Sequence, residues 1–204
     1  MGRPRQALIT HEAAVAAALA VIDAEGLDGF SVNGLARAMG VKAPSLYYHF
    51  ADKAALLAAV ARTLLTGTDY RNADGMHWEE NTVRLCVATR RALLRHPNAA
   101  PLILQFFPRH LLLEAYEATV ADYPRTRHLH MAILEGVEKL TFGSALFAAA
   151  ARAAGIAAMP DVALAQFPNL AASIAACSLD DEGNFVEALR MLLAGVRVRT
   201  QPGA

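Results

Sequence analysis

The chain has 204 residues, enough for one domain or two small ones, and its 55% hydrophobic against 19% charged residues exclude a disordered chain. Lys plus Arg and Asp plus Glu number 19 each, so bulk charge identifies no partner and any DNA binding must come from a local arrangement. The longest uncharged run, 162–179, is broken by Gln166, Pro168, Asn169, Ser173 and Ser178, and the basic start leads into no unbroken apolar stretch, so a soluble, cytoplasmic protein with no membrane partner is expected.

Sustained two-residue alternation and hairpin turns are absent, while alanine and leucine dominate, which predicts an all-α fold. Thr10 is placed to cap a first helix with Glu12 in its first turn, Val15, Leu19 and Ile22 on one stripe, and Gly26 at its end. Ser31 caps a short second helix, with Phe30 and Leu35 at the positions of a hydrophobic staple, and Gly40 stops it. A third helix is expected over 43–48, with Pro44 in its first turn. Asp52 caps a fourth, connecting helix over 52–66, with Leu56, Val60 and Leu64 on one face. Helices over 78–96, 99–107, 109–123 and 125–154 follow, the last with a seam of Ile133, Val137, Leu140, Ser144, Phe147 and Ala151. A looser stretch leads to a helix ending near 178 and a final one from 180 or 181, with Phe185, Leu189, Leu192 and Val196 on one side. Two domains are expected, 1–53 and 67–204, joined by the fourth helix. Cys86 and Cys177 lie too far apart for a local metal site and read as small buried residues.

The stretch from Ser31 to Lys53, S-V-N-G-L-A-R-A-M-G-V-K-A-P-S-L-Y-Y-H-F-A-D-K, has helix-turn-helix spacing. Ala36 is small where two helices cross, Gly40 takes the positive φ of a tight turn, Val41 and Leu46 lock the second helix, and Phe50 closes the core. Lys42, Ala43, Ser45, Tyr47, Tyr48 and His49 are left with outward-facing atoms on or beside a helix able to enter a major groove. Residues 1–53 carry five basic side chains (Arg3, Arg5, Arg37, Lys42, Lys53) and five acidic ones (Glu12, Asp23, Glu25, Asp28, Asp52), so affinity must come from placement.

The Gly-Arg-Pro start, the A-R-A-M-G-V turn and above all L-Y-Y-H-F-A-D-K resemble the TetR family of bacterial transcriptional regulators, whose signature reads Leu-Tyr-x-His-Phe-x-x-Lys. The Phe167-Pro168-Asn169-Leu170 segment and the closing F-V-E-A-L-R-M-L-L-A-G-V-R helix are similar to members with a tetracycline-repressor-like C-terminal domain. The resemblance implies that Tyr47, His49 and Lys53 bind backbone phosphates of a double-stranded DNA operator, and that Lys42, Ala43 and Ser45 approach base edges. Tyr48 then touches sugar or base, and Arg3 and Arg5 form an arm for the minor groove or flanking backbone. Position 42 departs from the family pattern. A capping hydroxyl or amide is usual there, and Lys exchanges that cap (about 1 kcal/mol) for a cation.

The resemblance also implies a homodimer paired through the 125–154 and final helices, and a cavity between the central helices for a small, hydrophobic effector. Arg90, Gln105, His110, Tyr116, Glu117 and Thr141 are polar candidates to orient it, with Phe106 as an aromatic one. No metal is expected, because His128 and His130 stand two residues apart and point to different sides of a helix. No cofactor or catalytic constellation is expected either: Gly143-Ser144 lacks the rest of a nucleophile elbow, and there is no Gly-rich phosphate loop. The sequence thus predicts a ligand-responsive repressor rather than an enzyme. The alternatives are a regulator without an effector, an activator, or an all-α carrier of hydrophobic ligands.

Overall fold

A computed structural model describes residues 9–66, 70, 75–124, 127–157, 159 and 161–200. Among them every regular element is helical. Helix α1 (His11–Gly29) starts where the Thr10 hydroxyl accepts the Ala13 amide at 3.1 Å, and it buries Ala14, Val15, Ala18 and Ile22. Gly26, at φ +76°, breaks its axis where the sequence placed its end. Helix α2 (Val32–Ala38) is capped by Ser31, which accepts the Gly34 amide at 3.0 Å. It closes with paired bonds, Val41 N–H to Ala36 O at 2.9 Å and Gly40 N–H to Arg37 O at 3.1 Å, around Gly40 at φ +66°. Helix α3 (Ala43–Leu46) has no side-chain cap at Lys42 and stops two residues earlier than expected, leaving Tyr47 at its C-cap and Tyr48 beyond it. Helix α4 (Lys53–Thr66) begins where Asp52 accepts the Ala55 amide at 2.7 Å, and it buries Leu56, Leu57, Val60, Ala61, Leu64 and Leu65.

Beyond α4 lie α5 (Trp78–Leu94), α6 (Leu102–Gln105), α7 (Pro108–Leu111), α8 (Leu113–Ala121), a 3-10 turn (Arg127–Leu129), α9 (His130–Ala154), α10 (Pro168–Ala176) and α11 (Asp181–Thr200). The helix expected over 99–107 shrinks to α6, preceded by tight turns. The one expected over 109–123 is cut at Leu112, which leaves helical geometry at φ −134°, ψ +43°. Packing accounts for that cut, because Leu111 and Leu112 lie against one hydrophobic core while Tyr116 and Val120 lie against another. One straight helix would not serve both cores. The long helix starts at His130, later than expected, after the 3-10 turn.

The first core runs from α1–α4 into Leu93, Leu94, Ala99, Ala100, Leu102 and Ile103 and on to Ala145, Ala148 and Ala149 of α9. Helix α4 therefore shares one apolar cluster with both ends of the molecule. The second core joins α5, α9 and α11 through Cys86, Ile133, Val137, Phe185, Leu189 and Leu193. There α9 and α11 approach closely: a Cβ on Gly136 would sit 3.2 Å from Leu192 Cδ2. The expected seam of α9 turns away before Phe147, which is 82% exposed, and the buried face continues through Ala145, Ala148 and Ala149. Cys177 also corrects the sequence reading. It is exposed at the C-cap of α10, a helix that buries none of its residues within this chain.

Candidate nucleic-acid interface and ligand cavity

The local caps of α2 and α4 fix α3 as a short rod, with Leu46 and Phe50 buried beneath it. On the outer side Lys42, Tyr47, Tyr48 and His49 are exposed, Tyr48 by 90%, and Ala43 and Ser45 are half-buried between them. These positions bring two phenol hydroxyls, an imidazole and an ammonium to the outside on or beside α3, groups of the kind that contact phosphates and base edges. Lys53 is exposed at the start of α4, but its Nζ donates to the Phe30 carbonyl at 2.9 Å and lies 5.5 Å from the centre of the Phe30 ring. The ammonium is thereby held at the junction of α2 and α4. Arg3 and Arg5 lie outside the described residues. Sequence reasoning passed over His11, whose ring stacks on Phe50 at 4.6 Å while His49 approaches the same ring at 6.5 Å. Its one signal was a histidine directly after the cap of α1.

The second feature is a cavity of ≈ 90 Å³ enclosed by α5, α8 and α9, with Leu65 of α4 and Tyr70 in its wall. Of the seven effector candidates, Tyr116 and Thr141 line it. Arg90, 1% exposed, instead ties three helices together. Its Nε donates to Ser144 Oγ at 2.8 Å, its Nη2 pairs with Asp181, and its guanidinium lies 5.5 Å from the Phe185 ring centre. Gln105 and Glu117 are exposed, and Phe106 packs on the first core. His110 stands outside the cavity, in a groove that also contains Arg62 and shares Tyr70, Leu112 and Ala115 with the cavity wall.

Cys86, buried as the sequence reading expected, also lines the cavity, as do Tyr123 and Glu138, none of the three having been an effector candidate. The Tyr116 hydroxyl donates to Glu138 Oε1 at 2.6 Å, and Arg109 bridges Glu138 and Glu135, the latter at 2.6 Å. Burial and then this hydrogen bond to Glu138 raise the Tyr116 phenol well above its ordinary range. Burial likewise pushes the Cys86 thiol up to about 11, so it is protonated at neutral pH. The hydroxyls of Thr82, Thr119 and Thr141 donate to the carbonyls of Trp78, Ala115 and Val137 at 2.8, 2.8 and 2.7 Å, turning their protons away from the cavity. The wall therefore presents mainly carbon and sulfur, with few polar atoms. Among the described residues no group of three or more His, Cys, Asp or Glu is placed to hold a metal ion, and no helix is long and apolar enough to cross a membrane.

Residues 14–60 match the family model for bacterial regulatory proteins of the tetR family, and residues 72–200 match that for the tetracyclin repressor-like C-terminal domain. The class D tetracycline repressor protein of Escherichia coli is 35% identical over 100 residues, which is 48% of this chain and 46% of that protein. The chain thus aligns with less than half the length of that relative. A possible TetR family transcriptional regulator from Streptomyces coelicolor A3(2) superposes with a TM-score of 0.78 at 30% identity over 93% of this chain and 99% of its own. ActR from Streptomyces coelicolor, in complex with actinorhodin, superposes with a TM-score of 0.75 at 24% identity over 95% of this chain and 99% of its own. With both halves matched by their own models, the chain belongs to the TetR family of bacterial regulatory proteins.

Proposed function

We propose that this protein is a transcriptional repressor that binds a palindromic operator as a homodimer and leaves it when a small hydrophobic effector fills the cavity. The observation that carries the reading is the span of α4. Its first residue is fixed to Phe30 beside the exposed α3 surface, and Leu65 near its other end is part of the cavity wall. A ligand that widens this cavity of ≈ 90 Å³ presses on a wall to which Leu65 of α4 belongs, and a shift of that wall is passed along α4 to the rod that positions α3. Ligand sites of ordinary size are roughly 300–1,000 Å³, so a drug-sized effector fits better once the wall has moved outward. The relatives support the same direction: the curated ones include the class D, H, C, E and A tetracycline repressors, and ActR has been crystallised with actinorhodin and with (S)-DNPA.

Dimerisation is supported by apolar side chains left uncovered in the single chain, among them Phe147 on α9, Ile174 on α10 and Met191 and Val198 on α11. A two-fold pair sets two α3 rods about 34 Å apart, one turn of duplex, or slightly further. An effector that favours the displaced state by about 3 kcal/mol releases operator about 100-fold. The test is fluorescence anisotropy on the promoter beside the protein's own coding region, with sedimentation to count protomers. Submicromolar binding by a dimer, lost on adding a compound from a hydrophobic library, is the expected result. Absence of enrichment from random duplexes would overturn the reading.

A further inference from the structure

Tyr123 is 6% exposed, and its ring is fixed edge-on against Trp78 and His130, with centroids at 5.8 and 5.7 Å. The other tyrosines of the cavity wall have acceptors: Tyr116 donates to Glu138 and Tyr70 to the Leu65 carbonyl at 2.8 Å. The Tyr123 hydroxyl is buried and has no hydrogen-bond partner. A buried polar group in that state is rare enough in native proteins to require a reason. Tyr123 belongs to the cavity wall together with Cys86 and Glu138, and burial, with those two neighbours acting in the same sense, raises its pKa. It therefore keeps its proton at neutral pH and offers a donor.

The charge of the site limits what that donor can meet. Glu138 disfavours an anion, and its own charge is already matched by Arg109, so a cation finds its counter-ion engaged. Phe142, Tyr116 and Tyr123 add flat apolar faces among aliphatic neighbours. We propose that Tyr123 sets effector specificity and that the effector is an uncharged aromatic ketone whose carbonyl oxygen accepts the Tyr123 hydroxyl. This rests on reading the cavity as the effector site.

The test titrates the full-length protein and its Tyr123→Phe variant with two probes, 1-indanone and indane, which differ in one carbonyl. The rise in melting temperature on binding is the readout. The wild type is expected to bind 1-indanone about tenfold more tightly than indane, and Tyr123→Phe to abolish that preference while leaving indane affinity unchanged. The unliganded variant is expected to melt at or above the wild-type temperature, because it loses a hydroxyl that had no partner. Equal affinities in the wild type, or a preference that survives in the variant, would overturn the proposal while leaving the cavity as a binding site. A variant that melts lower and loses both probes in parallel would overturn it too, by giving the hydroxyl a structural role. Failure of both probes to shift the wild type would overturn the cavity reading and the proposal together.

Discussion

His96 Nδ1 lies 2.7 Å from Asp23 Oδ2, tying the turn after α5 to the middle of α1. Asn98 strengthens the junction by donating to the Asp23 backbone carbonyl at 2.8 Å. These bonds cross from the half that encloses the cavity to the half that carries α3, along a route separate from α4. Replacing His96 and Asn98 together by Ala should leave operator affinity of the unliganded protein within about twofold. The release caused by saturating effector should fall from about 100-fold to about tenfold. Operator titrations with and without effector check both numbers, and unchanged release would assign the coupling to α4 alone.

The α3 surface gives two distinguishable substitutions. Tyr47→Phe removes a hydroxyl suited to phosphate and should weaken every operator variant similarly, by about 1 kcal/mol. Lys42→Ala should instead relax the preference at one base pair, or cost affinity there by about 1–3 kcal/mol. With acidic and basic side chains balanced in residues 1–53, few counterions are released per half-site, so log affinity should fall only gently with log salt. A slope near ten would contradict that expectation.

The Arg90–Asp181 pair is unequal: the arginine side chain is 2% exposed and the aspartate 56%. Asp181→Asn leaves a deeply buried guanidinium without its counter-charge, at a cost of about 3 kcal/mol. Arg90→Met frees an aspartate that water can reach, so its cost should be smaller, about 1–2 kcal/mol. Urea unfolding of the two variants tests the order, and the reverse order would mean that packing of the arginine stem on Phe185 outweighs its charge.

Protonated Cys86 contributes stability at neutral pH. Its native pKa lies above the unfolded value near 9, so the contribution is complete below about pH 9 and is lost as pH rises toward about 11. Unfolding free energy should decline across that window, and Cys86→Ala should flatten the decline. In the native protein a thiol reagent should modify exposed Cys177 quickly and reach Cys86 only after unfolding.

What the sequence determined by itself is local. The caps at Thr10, Ser31 and Asp52, the positive φ at Gly26 and Gly40, the uncapped Lys42 and the exposure of Tyr47, Tyr48 and His49 follow from bonds and side-chain periods spanning three to five residues. Only the tertiary structure decided what each helical face meets. Arg90 resembled a cavity residue until its partners proved to be Ser144 and Asp181, 54 and 91 positions away. That Cys86, Tyr123 and Glu138 share a cavity wall was not legible in the sequence, because apolar periodicity fixes a stripe on a helix but not the crossing angle or rotation that brings three stripes around one cavity. Leu112 broke its helix, and Phe147 turned outward, for the same reason: each position answers to packing between distant segments, which a local pattern does not encode.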